Sequence, residues 1–159
     1  MEYWTSKLGT KYKKSVIEKN EQTSKRELDE LRKTEGNRTC ADCASSHTVW
    51  ASVNLGIFLC LRCGSIHRGI GTHISIPKGC TGTYLWGPDE IDRMRSYGND
   101  RSNQIYGGGG DVRPKADERE SVWRQFIIDK YEHRKFAPEI DPSIINDSEL
   151  SAKVVKETQ

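Results

Sequence analysis

The sequence predicts a small α+β domain, and three observations carry that reading. Four of its five cysteines fall in two C-x-x-C pairs, Cys40 with Cys43 and Cys60 with Cys63, separated by sixteen residues. Between them "VWASVNLGIFLC" reads as two short strands, 49–53 and 57–59, turned at Asn54, Leu55 and Gly56. Around this unit, near 25–35, 88–97 and 117–132, lie segments with helical spacing or helix boundary signals. The expected architecture is a four-cysteine site on a short β-hairpin flanked by α-helices. A length of 159 residues, 34% hydrophobic and 30% charged, fits one domain with poorly ordered ends.

Residues 1–23 read as a basic, flexible arm, because Lys7, Lys11, Lys13 and Lys14 lie among glycine and threonine with no apolar face. Tyr3 and Trp4 beside these lysines offer a second reading, contact with a membrane surface or a partner. The domain proper is expected over 24–136. In "SKRELDELRK", Ser24 and Glu27 match a capping box, Leu28 and Leu31 share a face, and the helix should stop near Gly36.

Beyond Cys63, "GSIHRGIGTHIS" predicts a brief helical turn stopped by Gly69 and Gly71, then a strand over 73–76 that Pro77 interrupts. The following "IPKGCTGTYLWG" reads as irregular. "GPDEIDRMRSYGN" has Pro88 and acids at its start, Arg93 and Arg95 near its end, and Gly98-Asn99 as its cap, with Ile91 and Met94 facing inward. Four glycines from Gly107 form a loop and, with no lysine-serine after them, no phosphate cradle. Val122, Phe126, Ile127 and Tyr131 then mark a core-packing helix with Trp123 nearby. Residues 137–159 read as a tail with one turn near 150–155.

Several function classes fall away. The net charge of +2 is too small to predict a polyanion partner by itself. No charged-apolar-small leader is visible and no apolar run approaches the roughly 20 residues of a membrane span. The expected compartment is the cytosol or nucleus, where thiols stay reduced, and an odd cysteine count also argues against a disulfide framework.

Two C-x-x-C knuckles at this spacing suit one tetrahedral ion, and soft thiolates select zinc over magnesium or calcium. Four sulfurs leave no position for water, so the site is structural. An Fe–S cluster would use the same ligands, and a Cys₃His set drawing on His47, His67 or His73 is the other alternative. The histidines otherwise read as packing or hydrogen-bonding residues, with no serine–acid set that suggests a triad. A thioredoxin-like pair lacks its βαβ context. Cys80, outside both knuckles, reads as a small buried hydrophobe.

From Cys40 to Cys80 the sole carboxylate is Asp42, so a self-sufficient acid–base site is missing. What the segment offers is Arg68, five residues past the last ligand, a guanidinium on a rigid scaffold suited to a phosphate-bearing partner. Two arginines before a glycine-rich turn do not make a basic recognition helix, which excludes a duplex-reading finger and a nucleic-acid partner.

"CADCASSHTVWASVNLGIFLCLRCGSIHRGIGTHIS" resembles the zinc-finger core of the Arf GTPase-activating proteins, with the pattern C-x-x-C-x₁₆-C-x-x-C-x₄-R around a Trp-Ala-Ser-x-Asn-Leu-Gly-x-Phe-x-Cys stretch. Looser similarity runs from Leu28 through Phe136. The resemblance implies that Cys40, Cys43, Cys60 and Cys63 hold zinc, that Arg68 is an arginine finger, and that Trp50 faces or buttresses the GTPase surface. It implies a GTP-bound Arf-type small GTPase as partner, which brings its own Mg²⁺ and GTP. The chain then acts as a monomeric cytoplasmic activator in vesicle trafficking, peripheral on Golgi or endosomal membranes, with no complete active site of its own. Where the family carries a basic run and an acid before a tryptophan, this chain has "IPKGCTGTYLW". Trp86 matches, Lys78 stands for the basic, partner-facing residue, and the acid is missing. That departure motivates an alternative function, a zinc-dependent module that binds a GTPase or another protein without catalysis.

Overall fold

A computed structural model describes residues 2–138. At its centre lie three short antiparallel strands, β3 (Trp50–Ser52), β4 (Ile57–Leu59) and β5 (Pro77–Gly79), in the order β4-β3-β5. They follow β1 (Tyr3–Thr5), β2 (Lys11–Lys13), α1 (Lys14–Lys19) and α2 (Glu21–Lys33). Around the sheet stand α3 (Leu61–His67), α4 (Pro88–Ser96), α5 (Gly98–Tyr106) and α6 (Glu120–Tyr131).

The pleat explains the near-continuous apolar run of the predicted hairpin, whose strands are covered on both faces. Ile57 and Leu59 point to one core with Cys63, Ile66, Trp123 and Ile127. Phe58, between them, points to the other with Leu28, Ala51, Trp86, Ile91 and Met94. Every residue of β4 is buried. Trp50 pairs with Leu59 and Ser52 with Ile57 across the predicted turn, which closes through the Gly56 N–H to the Ser52 carbonyl at 2.8 Å.

Four expectations are corrected. The helix expected from Ser24 begins at Glu21 with Asn20 as its unaided cap, and Ser24 lies inside it, so no capping box forms. The strand expected over 73–76 is instead a turn, with the Ile74 and Ser75 N–H groups on the Gly71 carbonyl. The strand falls at Pro77, Lys78 and Gly79, paired with β3; proline is tolerated as the first residue of an edge strand, where its missing N–H breaks no ladder. Gly98-Asn99 is more than a cap: Gly98, at φ +80°, opens α5. The buried Asn99 accepts from the Phe58 N–H at 2.7 Å and donates to the Thr39 and Phe58 carbonyls.

The fourth correction concerns the N-terminal arm, which is a hairpin. Trp4 pairs with Tyr12, and both rings turn inward against Gly87, where an added Cβ would stand 2.9 Å from Trp4 and 3.1 Å from Tyr12. Ser6 Oγ and Tyr12 Oη donate to Asp89 at 2.6 and 2.9 Å, and the Lys7 N–H donates to Glu90 at 2.8 Å. Lys11 and Lys13 are the outward half of a two-residue period around Tyr12, too short to stand out in the sequence. Of the expected tail, residues from 139 onward, including the turn near 150–155, lie outside the described residues. No helix among the described residues is long and apolar enough to cross a membrane.

Burial alone would raise the Asp89 carboxyl, but hydrogen bonds from Ser6, Thr10 and Tyr12 outweigh it and hold Asp89 below the ordinary 3.8. The stability this lends is full above 3.8 and fades as pH falls through the lowered folded value. Tyr12→Ala is therefore expected to cost about 2 kcal/mol at neutral pH and to flatten the rise of stability with pH just below 3.8. Urea unfolding across the acid range checks both; an unchanged profile would mean that the hairpin does not dock.

Candidate metal centre and arginine surface

Cys40 and Cys43 lie in the loop between α2 and β3, and Cys60 and Cys63 at the start of α3. The β3–β4 hairpin brings the two pairs together, so that all four Sγ atoms lie within 4.8 Å of one another, with Cys43 and Cys60 at 3.5 Å. A tetrahedron of thiolates about 2.3 Å from a central ion has S···S edges of about 3.8 Å, so the sulfurs fit such an ion. Hydrogen bonds from neighbouring sulfurs, Cys40 first, lower the Cys43 and Cys60 thiols. Hydrogen bonds to the neighbouring sulfurs, with burial, raise the Cys40 and Cys63 thiols. Ser45 Oγ lies 3.0 Å from Cys43 Sγ and the Cys63 N–H reaches Cys60 Sγ at 3.4 Å, an outer shell of the kind that steadies a thiolate site. None of the three histidines near the knuckles joins the cluster.

Behind the metal site lies a sealed polar network that the sequence reading missed. Asp42, inside the first knuckle, is fully buried. It accepts from His67 Nε2 at 2.7 Å, Lys130 Nζ at 3.0 Å and the Tyr131 hydroxyl. His67 Nδ1 meets Ser75 Oγ at 2.8 Å. Ser75 in turn meets Ser52 at 2.7 Å. This places an acid, a histidine and a serine in series, contrary to the expectation that no such set exists. All three are at 0% exposure, so the serine meets no substrate and the arrangement is structural. Burial would raise Asp42, but Lys130 and His67 hold it well below the usual carboxylate range. No local signal marks Lys130 as buried, because its partner is 88 residues away.

Removing one charge of a buried pair leaves the other uncompensated. Asp42→Asn is expected to destabilise by about 3–5 kcal/mol, and Asp42→Asn with Lys130→Met to recover part of that loss. Urea unfolding of the two single variants and the double variant measures the coupling; strict additivity would contradict it.

Arg68 follows Ile66 and His67, both at 0% exposure, as the exposed residue that caps α3. Its backbone N–H bonds the Gly64 carbonyl at 3.1 Å, and its guanidinium lies 5.1 Å from the centre of the half-buried Trp50 ring. The Trp50 ring thus lies beneath the guanidinium. Arg62, the other arginine of α3, is tied down over Trp123 at 4.5 Å and donates to the Ala116 carbonyl.

Lys78, expected at the partner surface, is corrected. It is 3% exposed, pairs with Glu90 at 2.8 Å, and its ammonium sits 4.9 Å from both the Trp4 and Trp86 rings. Edge-strand alternation turns it inward, away from the surface. Its carboxylate comes from α4, where Glu90 also accepts from the Gly87 N–H at 2.7 Å. Cys80 is buried as expected, and desolvation raises its thiol to about 12.

The family model described as "Putative GTPase activating protein for Arf" matches residues 25–139. The chain is 40% identical over 121 residues to "UBA domain-containing protein 3" of Schizosaccharomyces pombe, covering 74% of the chain and 20% of that protein. It is 37% identical over 118 residues to "ADP-ribosylation factor GTPase-activating protein AGD12" of Arabidopsis thaliana, covering 72% and 35%. Among solved structures, the "ArfGap domain of HIV-1 Rev binding protein" superposes with a TM-score of 0.67 at 23% identity, covering 79% of the chain and 95% of that structure. The chain spans a fifth to about a third of the length of these two curated relatives.

Proposed function

Because the chain belongs to the Arf GTPase-activating protein (ArfGap) family, we propose that it accelerates GTP hydrolysis by a GTP-bound, Arf-type small GTPase. Arg68 is the arginine it supplies in trans. The observation that carries this reading is an exposed guanidinium at the end of a helix whose other end carries two cysteines of the four-sulfur cluster. Cys40, Cys43, Cys60 and Cys63 would hold one zinc ion, which would supply structural closure of the two knuckles.

In the loose transition state of phosphoryl transfer, charge gathers on the oxygens of the γ-phosphate and the leaving β-phosphate. Arg68 places two parallel N–H donors against those oxygens. The GTPase contributes Mg²⁺ and the group that orients water, which accounts for an activator surface without a general base of its own. Asp42, the sole carboxylate from Cys40 to Cys80, is spent inside the core.

Single-turnover hydrolysis by GTP-loaded Arf-type proteins on lipid vesicles, with and without the zinc-loaded chain, tests the proposal. Acceleration is the expected result. Binding without acceleration across several such GTPases would overturn it in favour of a non-catalytic module.

A further inference from the structure

Trp50 and Tyr84 share an arrangement that the activity alone does not call for. The Trp50 side chain packs against α3 at Gly64, where an added Cβ would stand 2.6 Å from Trp50 Cγ. Tyr84, in the turn after β5, approaches Trp50 edge-on, ring centres 5.9 Å apart at 64°. It rests on Gly79, where a Cβ would stand 2.4 Å from Tyr84 Cε2. Two glycines on two elements thus make room for two rings, and the Arg68 guanidinium lies 5.1 Å above the first. Tyr84 is 45% exposed, so burial alone does not hold it there. Edge-to-face contact aims the positive rim of one ring at the negative face of another, and a cation favours that same negative face.

We propose that Trp50 and Tyr84 form a two-ring seat for the Arg68 guanidinium, with Tyr84 a positioning residue that acts through Trp50. An exposed arginine on a free stem samples many rotamers, whereas phosphoryl transfer uses only those that place its fork on the phosphate oxygens. Tyr84 limits the tilt of Trp50, and Trp50 limits the reach of Arg68. The guanidinium therefore arrives pre-organised, which raises the rate of the bound complex and leaves its formation unchanged. The catalytic half of this inference rests on the reading of Arg68 given above; the seat itself does not.

The test combines Tyr84→Leu and Tyr84→Phe with a nuclear magnetic resonance measurement of the Arg68 side-chain Nε–Hε group, assigned by its loss in Arg68→Lys. In the wild type the Hε proton is expected upfield of an unstacked arginine, shifted by the Trp50 ring. Tyr84→Leu should move it back and lower kcat about tenfold at unchanged KM, whereas Tyr84→Phe, which keeps the ring, should restore both. An unshifted Hε in the wild type overturns the seat whatever the catalysis does. A Tyr84→Leu protein with wild-type kcat, in a background where Arg68→Lys is inactive, overturns the positioning role. Full activity in Arg68→Lys would instead remove the arginine-finger reading, and the Hε shift would still report whether the seat exists. If Tyr84→Leu fails to fold, the wild-type shift alone decides the seat, and Tyr84→Phe with a fall in kcat overturns a role carried by the ring.

Discussion

Arg68→Lys is expected to remove most of the acceleration of GTP hydrolysis while leaving the fold, the metal content and the affinity for the GTPase near their wild-type values. An arginine supplied in trans to a small GTPase is worth roughly 10³–10⁵ in rate. Lysine keeps the charge but presents it as a compact ammonium, which cannot bridge two oxygens with parallel donors and cannot stack flat on Trp50. A loss of at least about 10²-fold is therefore expected despite the conserved charge. Because Arg68 is exposed, the substitution should change unfolding free energy by no more than about 0.5 kcal/mol. Single-turnover hydrolysis at saturating activator separates the loss of rate from any loss of binding. Near-wild-type acceleration would end the case for Arg68.

The second large effect concerns the metal. Two core clusters meet across a sheet of three-residue strands, and an apolar interior of that size leaves a modest margin of stability. Closing a four-thiolate site contributes on the order of 10 kcal/mol in small zinc domains, comparable with or larger than the total stability of an ordinary domain, about 5–15 kcal/mol. Complete chelation at neutral pH is thus expected to abolish cooperative unfolding and most of the helical circular dichroism, and added zinc to restore both. A chelated protein that keeps its helicity and a sharp thermal transition would show that the sulfurs are not what closes the fold.

What could be read from the chain follows the range of the interactions. The cysteine pairs, the β3–β4 hairpin and α4 announce themselves because spacing, strand alternation and helix-end residues are local signals. Lys130 and Lys78 do not, since each looks like a solvated lysine until its carboxylate is found, Asp42 in one case and Glu90 in the other. The N-terminal hairpin was hidden likewise: Trp4 and Tyr12 make sense only against Gly87 and Asp89. Tyr84 sits in a segment whose glycines and proline argue against regular structure. One of those glycines, Gly79, is what the Tyr84 ring requires.

The long reach of the Asp42 contacts also bears on how the chain acquires its shape as it is made. Trp4 and Tyr12 have nothing to dock on until Gly87 and Asp89 emerge, and Asp42 waits 88 residues for Lys130. At about 5–20 residues per second, the Asp42 carboxylate spends several seconds without the Lys130 ammonium that faces it in the finished fold. Final closure belongs to α6, so a chain cut short before Lys130 keeps every cysteine and Arg68 yet lacks the cation its interior was shaped around.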